Sequence, residues 1–453
     1  MNDVWTEAEL MAATNGGFSR GGFAASAIRT DSRHIKAGEA FVALVGVRDG
    51  HDFVRNAMQR GASGAIVSRD VAAGHGRLLL VDDTLDALTR LGELGRMRSR
   101  ARFCAITGSV GKSTTKEMVR RVLAHFGLTH AAEASFNNHI GVPLTLANLP
   151  REAAFGVVEI GMNHPGEIAP LARLTRPHVG VITQIGSAHI GMLGSIHAIA
   201  DEKAQLLASI EPTGTAILPS GPLLPRLARR VPDGARIIGF GADALAEARL
   251  LAADSDAEGV TVKASILRRQ VQFRLAAPGT HMAMNAVAAL AAAGAFGLDV
   301  MEAATLLNGF APLAGRGARR KVTVNGRTIL LLDESYNASG PSMRAALNVL
   351  AVLPGRKIVV LGDMLELGDY THEEHRALAE PISAVADLAF ACGAAMRSMF
   401  DELPTAIRGG FTPDSASLAP IVKRALRDGD AVLVKGSNGS AMRVVIDAFE
   451  EKS

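Results

Sequence analysis

Aromatic side chains are scarce in this chain: one Trp, two Tyr and sixteen Phe make up 4% of its 453 residues. Cysteine is scarcer still, with only Cys104 and Cys392, far apart in apolar, strand-like runs. Two such residues exclude a disulfide framework and read as buried, reduced thiols. No run reaches the ~20 apolar residues that a bilayer crossing needs. The longest apolar stretch, Ala286 to Leu298, is alanine-rich and reads as a packed helix. The opening MNDVWTEAEL lacks the basic region and apolar core of a secretory signal, so the cytoplasm is the expected location. A strong charge of one sign is missing too: 48 Lys and Arg against 45 Asp and Glu leave +3. That is too little to argue for a nucleic-acid surface, although the pI of 9.0 leans basic and suits an anionic substrate.

What is present points to a compact α/β protein, with 48% apolar residues, 21% charged and 47 glycines. The length exceeds a single core, and three segments emerge. Residues 1–98 carry the short strand patterns GEAFVALVG, GASGAIVS and GRLLLVDD. Residues 99–312 alternate RFCAIT, FGVVEIG and HVGVIT with helices, the pattern of a parallel sheet with crossover helices. A polar stretch before the Ala-rich helix adds antiparallel strands. Residues 313–453 restart the cycle with TILLLDE, KIVVLGD, LAFACG and AVLVKGS. The arginines of LGELGRMRSRARF, between the first two segments, read as a solvated helix face. No short-period repeat is present, and a monomer is the default.

The loop TGSVGKST, residues 107–114, follows a strand and opens a helix, the context that gives this pattern its meaning. Gly108 and Gly111 let backbone N–H groups turn inward to form an anion nest that the helix N-terminus extends. Lys112 then reaches β and γ phosphates, and the Ser113 hydroxyl can ligate Mg2+. The commonest form of the loop has glycine where Ile106 stands, so this loop is the tighter kind. Nucleotide binding is the reading, with Thr107, Gly108, Ser109, Val110, Gly111, Lys112, Ser113 and Thr114 as its loop.

In open parallel sheets ligands bind beyond the carboxyl ends of the strands, which singles out Thr107, Glu159, Thr183 with His189, Asp333, Asp363 and Lys435. Glu159 offers the oxygen donor that Mg2+ prefers. A lone histidine such as His189 is more often structural or exposed than a ligand. Lys203 shares a helical face with Ile196, Ile199, Leu206, Leu207 and Ile210. A lysine turned inward loses solvation and its pKa falls. A neutral amine can add CO2 to become a carbamate, whereas a snorkelling ammonium is the plainer alternative. The residues alone leave both open.

Taken in order, TGSVGKSTTKEM, SFNNHIGVPLTL, EIGMNHPGEI, GSAHIGMLGS, DESYNASGPSM and LGDMLELGDYTHEEH resemble the Mur ligase family over essentially the whole chain. The resemblance implies a three-domain fold. A small N-terminal α/β domain (1–98) takes the UDP-substrate, a central P-loop domain (99–312) takes ATP, and a Rossmann-like C-terminal domain (313–453) brings the amine. It also implies the chemistry: ATP phosphorylates a carboxylate, and an amine attacks the acyl phosphate. The stretches DESYNASGPSM and LGDMLELG resemble the dipeptide-adding branch. That branch joins D-alanyl-D-alanine to UDP-N-acetylmuramoyl-tripeptide in the cytoplasmic stage of peptidoglycan synthesis.

Carried over by residue, the resemblance implies that Ser113 and Glu159 hold one Mg2+, and that His189 and carbamylated Lys203 help hold a second. Lys112, Lys203, His189 and Arg316 become the catalytic set. Asn285 would read the adenine edge, and Arg316 would meet the γ-phosphate with Asp333 beside it. Tyr336 and Asn337 complete the nucleotide set. Ser32 and Arg33 would contact the diphosphate near the RDGHDF loop, Asn137 and Asn138 the muramyl peptide, and Asp363 and Lys435 the amine. Without the resemblance, Asn285 reads as a helix-start capping residue and Arg316 as part of an exposed basic linker.

The chain departs from the family pattern at Ser339-Gly340, commonly Asn-Pro, which loosens the turn. It departs again at Asn438, often arginine, and at His139, often acidic. A nucleotide-driven switch would show a longer loop and a second-strand aspartate rather than Glu159. A non-catalytic binding module would lose Lys112 or the metal ligands, and both are kept. A folylpolyglutamate synthetase-like ligase shares the loop but does not require a UDP-binding segment. The expected order is ATP, UDP-tripeptide, then dipeptide, with the third domain closing over the labile anhydride.

Overall fold

Short apolar runs bounded by turn residues build the N-terminal sheet. Its order is Gly17–Phe18, Leu78–Leu80, Gly64–Val67, Ala40–Val42, Ile28–Arg29, with only the first pair antiparallel. The computed structural model describes residues 4–71, 76–132 and 135–450, and the sheets are counted among these. The helix Thr84–Met97, capped by Asp83, carries the chain onward. It meets the helix Gly141–Ala147 at very short range: a Cβ on Gly95 would lie 2.3 Å from Leu146 O, and one on Gly92 2.8 Å from Pro143 Cα. Two further ties cross here. Trp5 Nε1 donates to Ala147 O at 2.9 Å, and the Asn148 amide pairs with the backbone of Ile28 at 2.8 and 3.0 Å.

The arginine run at this junction is a solvated face only in part: Arg100 and Arg102 are exposed, whereas Arg96 and Arg98 turn inward. Arg96 is buried, donates to Thr175 O at 2.7 Å and Arg176 O at 2.9 Å, and lies 4.4 Å over the Phe103 ring. Burial, then the neighbouring Arg176, pulls its pKa down to about 10. Arg98 covers the Trp5 ring at 3.9 Å, and Arg102 lies over Phe296 at 4.6 Å. Guanidinium planes stack on aromatic faces and stay charged at depth, so these cations bind segments together. Arg96→Ala should cost roughly 2–4 kcal/mol, because two carbonyls lose a charged donor and a ring loses its cover. A thermal melt lowered by several degrees checks this.

The central sheet has nine strands in the order Arg269–Leu275, Val260–Ile266, Ala248–Ser255, Arg236–Gly241, Thr215–Pro219, Val179–Ile182, Arg102–Thr107, Phe155–Glu159, Thr129–Ala131. The first three are joined antiparallel and the rest run parallel, as the alternating pattern and its polar insertion imply. The Ala-rich helix Thr280–Ala295 buries most of its length because small side chains permit close approach. The helix carrying Lys203 spans only Ile196–Ala204, and Leu207–Ser209 is a 3-10 turn, so the expected periodicity to Ile210 breaks.

The C-terminal sheet runs Ala318–Val324, Arg327–Glu334, Ala431–Lys435, Lys357–Leu361, Leu388–Cys392, Arg408–Thr412, parallel after its first pair. Buried apolar side chains continue from Val158, Ile160 and Ile190 of the central segment into Met343, Met364 and Leu367 of this one. Cys104 and Cys392 are free and buried. Burial, helped by Asp363 and Asp414, leaves the Cys392 thiol pushed up to about 12.

Candidate active site

The strand Arg102–Thr107 ends at the loop, and the helix Lys112–Phe126 begins beyond it. Gly108 (φ 152°) and Gly111 (φ 85°) hold conformations that side chains resist. A Cβ on Gly108 would lie 1.9 Å from Thr183 Oγ1, and one on Gly111 2.5 Å from Asn285 Oδ1. The segment after Val179–Ile182 braces the loop. Thr183 Oγ1 donates to Val110 O at 2.6 Å, Ser109 N to Gln184 O at 2.7 Å, and Ser109 Oγ to Gly186 O at 3.1 Å. Lys112 Nζ donates to Gly108 O at 2.8 Å. Burial lowers its pKa, Glu159 opposes the shift, and Arg316 adds to it. Two cations thus face one carboxylate, a balance suited to a polyanion.

Oxygen donors gather at the helix start. Ser113 Oγ donates to Glu159 Oε2 at 2.5 Å, and Asn137 Nδ2 donates to Oε1 at 2.8 Å. Ser135 Oγ lies 3.5 Å from Ser113 Oγ and accepts from Arg316 Nη2 at 2.7 Å. Among the described residues no three His, Cys, Asp or Glu side chains form a metal cluster. Lys203 alters that accounting. It is 1% exposed, and its amine has no hydrogen bond or ion pair among the described residues. Burial, then repulsion from Lys112, drives its pKa well below 10.5, with Glu202 opposing. A buried amine whose charged form is disfavoured beside Lys112 fits conversion to a carbamate, which would add an anionic oxygen donor of the kind a hard cation favours. The residues present therefore fit Mg2+. His189 Nδ1 lies 2.5 Å from Glu366 Oε2.

A cavity of about 800 Å³ opens from the loop and brings many of the expected nucleotide residues together: Ser109 to Lys112 with Thr114, Asn285, Arg316, Tyr336 and Asn337. The Arg316 guanidinium lies 4.1 Å over the Tyr336 ring, so it is no member of a free basic linker. Asn285 is mid-helix, because the helix starts at Thr280, and the capping alternative does not apply.

Lys435 also lines this cavity rather than a separate amine site; its Nζ pairs with Glu334 Oε2 at 3.1 Å and donates to Asn337 O at 2.9 Å. Asp333 is absent from the lining. Its Oδ1 accepts from Ser335 Oγ at 2.7 Å, and its Oδ2 lies 3.7 Å from Arg443. Glu334 takes the cavity position and was missed. Strand alternation carried the signal: Asp333 shares the inward face of Leu331, which leaves Glu334 on the other.

Several residues lie elsewhere. Ser32 is buried, and Arg33 is exposed and held by Asp31 at 2.7 Å, both away from this cavity. The Asn138 carbonyl is occupied in accepting from Gly141 N at 2.9 Å. With His139 it lines a second cavity of about 640 Å³, between Thr89 and Glu93 on one side and Leu171 and Leu174 on the other. Asp363 spends its carboxylate on Met396 N at 2.7 Å, so no free acid faces an amine there. The turn at Ser339-Gly340 is not loosened. Ser339 N donates to Ser342 Oγ at 2.9 Å, and a Cβ on Gly340 would fall 2.4 Å from Glu374 Oε2. Asn438 is exposed at the start of the turn Asn438–Ser440.

Three sheets around a braced phosphate loop define a known class. The Mur ligase middle domain matches residues 106–293, and the Mur ligase, glutamate ligase domain matches residues 317–438. The chain belongs to the Mur ligase family. It is 37% identical over 429 residues to the UDP-N-acetylmuramoyl-tripeptide--D-alanyl-D-alanine ligase of Synechocystis, covering 92% of this chain and 90% of that one. The enzyme of the same name from Escherichia coli is 32% identical, with 98% of each chain covered. Among solved structures, MurF from Acinetobacter baumannii gives a TM-score of 0.86 at 30% identity, over 99% of both chains. MurF from Thermotoga maritima in complex with ADP gives 0.77 at 25%, over 94% of this chain and 97% of that one.

Proposed function

We propose that the protein is an ATP-dependent ligase that adds D-alanyl-D-alanine to UDP-N-acetylmuramoyl-tripeptide in the cytoplasmic stage of peptidoglycan synthesis. One observation carries the reading beyond kinship: Lys112 of the central segment and Arg316, Tyr336 and Lys435 of the C-terminal segment converge on a single cavity. That is the arrangement for a triphosphate gripped from two sides. In this reading residues 1–98 hold the UDP handle, 99–312 hold ATP, and 313–453 bring the dipeptide. Binding energy from the remote handle positions the reacting carboxylate.

The carboxylate oxygen attacks the γ-phosphorus and ADP leaves; the dipeptide amine then attacks the acyl carbon and phosphate leaves. Lys112 and Arg316 offset the negative charge that spreads as the phosphoryl group moves. Ser113 and Glu159 would hold one Mg2+, and His189 with carbamylated Lys203 a second. When bound, the metal neutralises phosphate charge and polarises the P–O bond. Thr183 and Ser109 keep the loop in its receiving shape. No described helix is long and apolar enough to cross a membrane, and the reading takes the protein as a cytoplasmic monomer.

An ATP-dependent ligation with candidate UDP-muramyl peptides, scored by product mass, tests this. Product should form, and phosphate release should require both peptide substrates. Robust ATP hydrolysis without an amine would move the reading to a switch protein.

A further inference from the structure

The motif LGDMLELGD carries a glutamate, Glu366, that has no part in the chemistry above. Its loop is tied to its own segment by Met364 N, which donates to His375 Nε2 at 2.9 Å, and by Leu365 N, which donates to Ser437 Oγ at 2.9 Å. It is tied equally to the central segment. Glu366 O accepts from Gly191 N at 3.2 Å, Tyr370 Oη donates to Gly194 O at 3.3 Å, and Glu366 Oε2 lies 2.5 Å from His189 Nδ1. Glycine on both sides permits the approach: a Cβ on Gly191 would fall 2.2 Å from Gly368 N, and one on Gly368 2.8 Å from Gly191 Cα.

Both residues of this contact adopt left-handed backbone, His189 at φ 66° and Glu366 at φ 65°. Residues with side chains keep that conformation only where the surroundings enforce it. His189 Nδ1 is buried, and the Glu366 carboxylate lies 2.5 Å from it. That contact leaves the other ring nitrogen, Nε2, unengaged by Glu366.

We propose that Glu366 is a positioning residue: from the C-terminal segment it fixes the imidazole of His189, so that the ring is set for its task only while that segment is docked. The proposal rests on His189 serving as a metal ligand in the reading above. A ligating imidazole is oriented, and made a better donor, by a carboxylate on its other nitrogen. Here the carboxylate arrives from another segment, which couples docking to assembly of the site.

Glu366→Gln keeps the backbone contact to Gly191 and removes only the charge. In the full chain with ADP, Mn2+ uptake followed by electron paramagnetic resonance should show affinity for the second ion falling roughly 10- to 100-fold. In ligation, kcat should fall over the same range, with KM for the UDP-peptide within about twofold and partial recovery in Glu366→Asp. Tyr370→Phe, which removes the hydroxyl contact to Gly194 alone, should leave Mn2+ affinity unchanged. Equal Mn2+ affinity in wild type and Glu366→Gln overturns the proposal, as does binding by neither or an equal loss in Tyr370→Phe. Should the wild type form no ligated product, the ligase reading fails while the Mn2+ comparison still decides the role of Glu366.

Discussion

Lys203→Ala is expected to lower turnover by roughly 10²- to 10³-fold, the scale for removing a group that stabilises developing charge. The residue lies at the end of the helix Ile196–Ala204 and is almost wholly buried, and desolvation, then Lys112, lowers its pKa. A cation at that position would repel Lys112 and do nothing for a metal, whereas a carbamate would attract both. Short carboxylic acids added to the alanine variant should therefore restore part of the activity by supplying the missing oxygens. A variant left fully active, or one indifferent to added acid, would remove the carbamate from the scheme.

The same burial has a consequence for stability in CO2-free buffer. The folded pKa of Lys203 lies below the unfolded value, so the unfolded chain binds more protons and stability rises with pH across that interval. Lys203→Met should accordingly be more stable than wild type at neutral pH. Its advantage should shrink as pH climbs towards about 10.4, the ordinary lysine value.

Gly108→Ala is expected to reduce ATP-dependent turnover by at least roughly 10²-fold, since it displaces the donors that meet the phosphates. The added methyl would fall 1.9 Å from Thr183 Oγ1, at a backbone φ of 152°. Relief can come only by moving the loop or breaking the Thr183 bond to Val110 O that shapes it. Combining it with Thr183→Ala removes the worst clash and leaves the Gln184 nitrogen 3.2 Å away. The double variant should then bind ATP better than Gly108→Ala alone in a direct titration. A single variant with unaltered ATP affinity would show that the bracing is irrelevant.

The phosphate loop was legible because its signal is local: a strand, two glycines and Lys112 in eight residues, with the helix following. Lys203 was legible in part, since the inward face survived even though the helix stopped at Ala204. Parallel strands could be read from apolar runs and their spacing. What escaped depended on parts distant in sequence. Arg96 and Arg98 looked solvated because Phe103 and Trp5 become their covers only after folding. Asp333 and Glu334 were told apart by which face of a strand meets the cavity. Lys435 changed place because Glu334 and Asn337 hold it, and Asp363 because Met396 takes its carboxylate.

The glycine-to-backbone crossing at Gly92 and Gly95, with Arg96 and Trp5 clamped around it, leaves the first two segments no room to slide. In the proposed reading they would act as a ruler of fixed length, with the sugar-nucleotide end at one mark and the phosphate loop at the other. On that reading a donor whose peptide is one residue short or long would hold its carboxylate off the second mark, so this rigidity would measure the substrate before any bond is made.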